Sequence, residues 1–188
     1  MQSQLSESEQ AFSEEVERFI VRHWLNAAEP RLRLRAWLNE VDTEPLRKQW
    51  YRSVVEAGWS VPHWPSEFGG CDWSPKQLHI WLSACLKHQT PTVLTFATGH
   101  VGPLLIEYGT ADQQALLPKI AALEDNWCLG WAEHSAPIDD YSIGARITQN
   151  GQQTSVSGTK ARVIDGMRAH WMMCIAVPEE SRVDDNKP

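Results

Sequence analysis

The stretch WAEHSAPIDD at residues 131–140 concentrates side chains that could take part in acid–base chemistry. It contains one isolated carboxylate, Glu133, and a pair of adjacent ones, Asp139 and Asp140. Paired carboxylates can share a catalytic proton only when they face each other, and adjacent residues in a turn project apart. The pattern therefore favours a loop-capping role for the pair over acid–base catalysis.

The same stretch holds the three residue types of a hydrolytic triad, in Ser135, His134 and Asp139. A relay of this kind needs side chains that separate elements bring together, and residues so close in sequence cannot form it. The stretch therefore predicts no hydrolase site, and it leaves the function of Glu133 open between a ligand contact and a salt bridge at a strand end.

Composition and spacing exclude several other functions. The 188 residues carry a formal net charge of −7, so we expect no nucleic-acid partner, which would require a concentrated cationic face. The seven histidines are scattered without metal-ligand spacing, and no metal site is predicted. Nothing resembles a secretory signal or a membrane span, and the cysteines lack paired spacing, so we expect a reduced, soluble, cytoplasmic protein. The cysteines are Cys71, Cys85, Cys128 and Cys174.

Up to residue 125 the apolar residues recur at helical spacing, interrupted by one Gly- and Pro-rich loop at 58–70. This part of the chain predicts a bundle of amphipathic helices. The predicted helices cover 6–26, the segment from Thr43 to Gly58, the segment from Ser74 onward, two pieces separated by a break within 91–109, and a short helix from the capping box at Thr110 to about Pro118.

After residue 125 the pattern changes to short β-branched and aromatic runs separated by turn residues. The fold class is therefore α+β, an α-helical bundle followed by a partial antiparallel β-domain. We expect a helical domain at 1–125, the β-domain at 126–178 and a disordered tail at 179–188. The predicted strands are 127–132, 144–149, 153–158, 160–164 and 170–177.

Three long segments resemble the acyl-CoA dehydrogenase family over nearly the whole chain. They are GWSVPHWPSEFGG at 58–70, the stretch 102–147 with its GTADQ and LP motifs, and the stretch 150–177 with its GTK motif. The resemblance implies FAD as the cofactor and an acyl-CoA thioester, dehydrogenated at its α–β bond, as the substrate. In the family the catalytic base is a carboxylate in a C-terminal domain beyond this sequence, so no catalytic residue is predicted here.

The first flavin motif of the family is a Ser or Thr, then a Glu, then a Gly-rich turn. Glu133 matches it, and the resemblance assigns cofactor binding to Glu133 and, through its backbone, to Trp131. Ala132 stands where the motif has its Ser or Thr, and Pro137 stands where the turn has its glycine. Ile138 stands at the Ser or Thr of that turn, whose final Asp is Asp139.

The second flavin motif of the family is K-x-W-x-[ST]. Lys160 matches and is assigned to cofactor binding, but Arg162 and Ile164 replace the indole and the hydroxyl. Two lost hydrogen bonds and one lost stack together weaken binding by about 1.5–4.5 kcal/mol. A guanidinium at position 162 could offset part of this loss by stacking on a ring or neutralising a phosphate.

Two hypotheses follow. The chain is part of an FAD-dependent acyl-CoA dehydrogenase that requires a C-terminal half or a partner chain, or it is a non-catalytic relative with a degraded flavin site that serves in binding or assembly. The ten tryptophans, which bury large areas in cores and interfaces, would supply the contact surface in the second case. Self-association, or pairing with another acyl-CoA dehydrogenase-like chain, is expected because an unpaired strand edge attracts a partner.

Overall fold

The computed structural model describes residues 5–133, 143–151 and 153–179. The chain divides into two compact units, 1–124 and 125–188. The helices lie in the first unit and the strands in the second, which confirms the predicted α+β class with a helical unit before a partial sheet. Asp139, Asp140 and the predicted tail beyond Glu179 lie outside the described residues.

The helical unit contains seven α-helices in the described part of the chain, with short π and 3₁₀ turns between some of them. The α-helices are α1 (Glu7–Ile20), α2 (Pro30–Trp37), α3 (Glu44–Glu56), α4 (Pro75–Lys87), α5 (Gly102–Tyr108), α6 (Ala111–Gln114) and α7 (Leu117–Ala121). None of the helices within the described ranges is long and apolar enough to cross a membrane.

Capping boxes fix the starts of α1, α4 and α6. In α6, the Thr110 hydroxyl accepts the Gln113 N–H and the Gln113 side chain accepts the Thr110 N–H, as predicted. Ser74 and Gln77 do the same for α4. Each box satisfies two N–H groups that a helix start would otherwise leave unpaired, so these starts could be predicted from four-residue motifs.

Thr43 occupies the predicted N-cap position of α3, but its side chain makes no capping hydrogen bond. The Thr43 hydroxyl donates to the Glu40 carbonyl at 2.5 Å and accepts from the Arg47 side chain at 2.8 Å, but it accepts from no backbone N–H of α3, which follows a 3₁₀ turn at Val41–Thr43. The end of α3 agrees with the prediction, since Gly58 follows it with a φ of +74° that favours glycine.

The predicted break within 91–109 is also wrong. A five-residue π-helix, Ala97–Val101, runs directly into α5. Pro103 lies in the first turn of α5, just after this widened turn. The missing N–H of Pro103 removes no α-helical hydrogen bond there, because the preceding turn does not follow the α-helical pattern.

The core of the helical unit is aromatic. Trp50 and Trp81 stack with ring centroids 6.0 Å apart and an interplanar angle of 18°, and Trp24 packs against Trp50. The indoles of Trp24 and Trp50 donate to the carbonyls of His88 and Pro91. These side chains are fully buried, and most of the indole polarity is satisfied by carbonyls at the end of α4 and just beyond it.

Trp64 anchors the Gly- and Pro-rich loop to the π-helix. Its indole donates to the Thr98 carbonyl at 2.9 Å, and the His63 ring lies 3.3 Å from the same oxygen. A Cβ atom on Gly102 would overlap the Trp64 ring, so the close approach of loop and helix requires glycine at position 102.

The second unit contains five strands in its described part, arranged in two small sheets. The strands are β1 (Trp127–Gly130), β2 (Arg146–Asn150), β3 (Gln153–Ser157), β4 (Trp171–Cys174) and β5 (Val177–Pro178). One sheet pairs β1 with β4, and the other has the order β3-β2-β5. The β2–β3 hairpin is antiparallel as predicted, whereas β1–β4 and β2–β5 are parallel pairs. Periodicity along a strand does not encode the direction of its neighbour, so the parallel pairs could not be predicted from it.

The predicted strand at 160–164 is wrong. Arg162 adopts a left-handed φ of +52° and a turn occupies 164–168. A single backbone hydrogen bond, from the Ala161 N–H to the Ala132 carbonyl at 2.8 Å, holds this loop beside the end of β1. The β-branched residues of the segment suggested a strand, but the left-handed residue prevents an extended run.

Candidate functional site

The carboxylate of Glu133, three residues after β1, is the centre of a buried cluster. Its Oε1 accepts from Lys160 Nζ at 2.6 Å and from the Ala145 N–H at 3.0 Å, and its Oε2 accepts from the Gly144 N–H at 2.7 Å. The Glu133 and Lys160 side chains are 8% and 5% exposed. We call these four residues the Glu133 clamp.

The clamp joins three parts of the second unit. The end of β1 delivers Glu133, the residues just before β2 deliver the two amides, and the loop after β3 delivers Lys160. A Cβ atom on Gly144 would lie 2.5 Å from Glu133 Oε2, so the carboxylate can approach this backbone only because position 144 is glycine.

The clamp keeps Glu133 ionised. The hydrogen bond from Lys160 lowers the pKa of the Glu133 carboxyl, the Ala145 and Gly144 amides lower it further, and burial opposes them. An ionised carboxylate accepts hydrogen bonds and donates none, and here both oxygens already have donors within the fold. Glu133 is therefore suited to holding the chain together and poorly suited to proton transfer or to binding a ligand.

All three residues assigned to cofactor binding lie together. The Trp131 carbonyl accepts from Lys160 Nζ at 3.4 Å, which places Trp131 beside the clamp, while its indole is 58% exposed. Sequence reasoning missed Gly144 and Ala145, because backbone donors leave no side-chain signature. The single signal in the sequence was the glycine of SIGAR, at the first position of the predicted strand 144–149.

The positions that the family uses for an indole and a hydroxyl contact are open to solvent. Arg162 is exposed and Ile164 is 83% exposed, and both belong to the loop beside β1. Ala132, at the first hydroxyl position, contributes a carbonyl that is already hydrogen-bonded to Ala161. Pro137, Ile138 and Asp139 lie outside the described residues.

The described side chains do not fit a flavin site of the family's kind. The two charged side chains that match the motifs, Glu133 and Lys160, bind each other. The hydroxyl and indole groups that the motifs require are absent at positions 132, 162 and 164. Among the described residues, no group of three or more His, Cys, Asp or Glu side chains could hold a metal ion.

Comparison with known proteins identifies relatives over most of the chain. Residues 6–124 match the family model of the acyl-CoA dehydrogenase N-terminal domain. Acyl-CoA dehydrogenase IpdE1 of Mycolicibacterium smegmatis is 31% identical over 134 residues, covering 66% of this chain and 34% of that protein. IpdE1 of Mycobacterium tuberculosis is 27% identical, with 71% and 35% covered.

Solved structures share the fold. The ChsE4–ChsE5 complex from Mycobacterium tuberculosis matches 96% of this chain and 44% of the compared chain, with a TM-score of 0.73 and 21% identity. The Tcur3481–Tcur3483 steroid acyl-CoA dehydrogenase matches 100% and 46%, with a TM-score of 0.73 and 22% identity. The chain spans about a third of the length of the curated relatives it matches and under half of these structures.

Proposed function

The chain belongs to the acyl-CoA dehydrogenase family, and we propose that it serves an acyl-CoA dehydrogenase assembly without holding FAD by itself. In this role it is a binding and assembly module. The cofactor and the acyl-CoA substrate are bound by residues that another part of the assembly supplies.

One observation carries the proposal. Glu133 and Lys160 are the two charged residues that the resemblance assigns to the cofactor. They form a buried ion pair in which Lys160 Nζ lies 2.6 Å from Glu133 Oε1, and the Gly144 and Ala145 amides donate to the same carboxylate. Direct contact of either charge with FAD would require this pair to open and leave a buried charge without its partner, which is costly. The clamp therefore supports a structural role for these residues.

The comparisons support a partner of the same family. Two of the matched structures are complexes of two differently named chains, ChsE4 with ChsE5 and Tcur3481 with Tcur3483. We propose by analogy that a second acyl-CoA dehydrogenase chain completes the cofactor and substrate sites. Flavin dependence itself is a property of the family, illustrated by the glutaryl-CoA dehydrogenase of Mycobacterium smegmatis in complex with FADH2.

A flavin titration tests the proposal. The purified chain is incubated with FAD, desalted, and examined for flavin absorbance and for quenched flavin fluorescence. We expect no retained flavin, because the clamp and the substitutions at positions 132, 162 and 164 leave few groups to hold it.

A triple variant sharpens this test. Ala132→Thr, Arg162→Trp and Ile164→Thr together restore the hydroxyl and indole groups of the motifs, and should raise the affinity for FAD by about ten-fold or more. Arg168→Trp is the matched control, because it adds an exposed indole in the same loop away from the motif. A gain with the control as large as with the triple variant would count against a site-specific explanation.

The alternative function is the family's own reaction, FAD-dependent α,β-dehydrogenation of an acyl-CoA, with this chain holding the flavin. The observation in its favour is the exposed guanidinium of Arg162 at the stacking position, since arginine can stack on a ring or pair with a phosphate. Stoichiometric FAD retained by the unaltered chain, and lost in Arg162→Ala, would establish this alternative and overturn the assembly proposal.

A further inference from the structure

The sheet of order β3-β2-β5 has two edges that differ in protection. The β5 edge is two residues long, contains Pro178 and is followed by Glu179. The β3 edge is five residues long, Gln153–Ser157, with every residue exposed and no proline or charge among them. Short strands, prolines and charges are the usual devices that prevent edge-to-edge pairing, so the β5 edge is blunted and the β3 edge is not.

The hydrogen bonds of β2 determine which groups of β3 point outward. The carbonyls of Ala145 and Ile147 accept hydrogen bonds from the N–H groups of Val177, in β5, and Glu179, just after it. Because backbone N–H and C=O groups alternate in direction from one residue to the next along a strand, those of residues 146, 148 and 150 point toward β3. Their partners in the register are Ser157, Ser155 and Gln153. The N–H and C=O groups of the two residues between them, Thr154 and Val156, therefore face outward, and within the described residues no strand pairs with them.

We propose that this edge pairs with the same edge of a second copy of the chain. The two β3 strands run antiparallel about a two-fold axis at Ser155, with Thr154 of each copy opposite Val156 of the other. Each of these two pairs exchanges both N–H···O=C bonds, so four hydrogen bonds join the copies. The result is a continuous six-stranded sheet of order β5-β2-β3-β3-β2-β5.

Self-complementarity identifies a second copy as the occupant. The two outward-facing residues are spaced so that donors and acceptors match those of an identical strand, as a two-fold interface requires. The strand is uncharged in a chain of net charge −7, so pairing places no like charges of the strand opposite each other. Two five-residue strands bury far less than the roughly 1,200 Å² of a stable interface, so the dimer is weak and depends on concentration.

A pair of charge variants tests both the dimer and its register. In Thr154→Glu/Val156→Glu, glutamates face each other twice across the axis, whereas in Thr154→Glu/Val156→Lys each glutamate faces a lysine. Sedimentation velocity over a wide concentration range should show dimer for the unaltered chain and for the second variant, and the dimer of the first variant should be at least ten-fold weaker than that of the second. Unchanged far-UV circular dichroism confirms that both variants fold.

A cross-link provides an independent measurement. In the proposed pairing the two Ser155 residues form a non-hydrogen-bonded pair, whose Cα atoms lie about 4.5 Å apart, within the range of a disulfide. Ser155→Cys with Cys174→Ser, which removes an exposed thiol, should form a disulfide-linked dimer on mild oxidation. Gln153→Cys in the same background is the control and should cross-link far more slowly, because Gln153 is not opposite itself.

Two outcomes would overturn this inference. One is a monomer at every concentration, and the other is equal association of the two charge variants, which would place the contact elsewhere. Neither outcome affects the flavin titration, because β3 contributes no residue to the Glu133 clamp, so the failure of one proposal is distinguishable from the failure of the other.

Discussion

The two units bury their tryptophans to different extents. In the helical unit Trp24, Trp50 and Trp81 are fully buried and contact other rings. In the second unit Trp131 is 58% exposed and Trp171 is 46% exposed, although Trp171 stacks on Trp127 with ring centroids 5.7 Å apart. Four of the seven tryptophans of the helical unit are buried, with Trp37 40% exposed, whereas none of the three in the second unit is buried.

This difference indicates where the stability of each unit originates. The helical unit relies on apolar burial around indoles that donate to backbone carbonyls. The second unit has exposed strands and a charged cluster, the Glu133 clamp, that links three of its segments. We expect core substitutions to dominate in the first unit and electrostatic ones in the second, and four predictions test this expectation.

The largest effect should come from Trp50→Ala. Removing the indole leaves a cavity beside Trp81 and frees the Pro91 carbonyl from its donor, so the free energy of unfolding should fall by about 3–5 kcal/mol. Urea denaturation followed by circular dichroism measures it. Trp50→Phe keeps most of the ring and should cost clearly less, and equal losses for the two variants would contradict a cavity as the cause.

Breaking the clamp should have the next largest effect. Lys160→Met leaves Glu133 buried with backbone amides as its remaining donors, so hydrogen exchange of the Gly144 and Ala145 amides should accelerate and the urea midpoint should fall. The double variant Glu133→Gln/Lys160→Met removes both charges and should recover part of the loss. If the double variant is no more stable than Lys160→Met, the two charges are not coupled.

Acid should weaken the clamp. Because the folded pKa of Glu133 is lowered, its contribution is complete above the ordinary glutamate pKa of about 4.3 and is lost as pH falls below that value through the lowered one. The difference in urea midpoint between the unaltered chain and Glu133→Gln should therefore stay constant from about pH 7 to 5 and narrow below about pH 4. A difference that widens in acid would contradict the lowered pKa.

The smallest effect should come from Trp131→Ala, the surface counterpart of Trp50→Ala. Its indole is largely exposed and its one described contact to the clamp uses the backbone carbonyl, so the free energy of unfolding should change by no more than about 0.5 kcal/mol. The same denaturation assay measures it. A loss approaching that of Trp50→Ala would show that the second unit also depends on its tryptophans.

Local signals in the sequence predicted much of the helical unit. The start of α6 followed from the capping box at Thr110 to Gln113, and the start of α4 followed from Ser74 with Pro75 after it. The π-helix at Ala97–Val101 did not, because one widened turn has the same composition as an α-helix. Thr43 stands at the predicted N-cap position, but its hydroxyl donates to the Glu40 carbonyl within a 3₁₀ turn and does not cap the helix.

The sequence likewise predicted only part of the candidate site. Glu133 and Lys160 were identified by motif resemblance, and the structure brings them together. The amides of Gly144 and Ala145 could not be identified, because which backbone donors meet a carboxylate depends on how distant segments approach. Arg162 was predicted to lie in a strand, because the β-branched Val163 and Ile164 follow it and its residue type does not indicate a left-handed backbone.

The fit of Trp64 against Gly102 constrains the order in which these two positions can change. No side chain can be accommodated at position 102 while the indole occupies that space, so the ring at position 64 has to become smaller first. That first step also removes the indole donor to the Thr98 carbonyl, so we expect it to lower stability. The loop and the helix it touches are therefore expected to change as a pair, or to remain as they are.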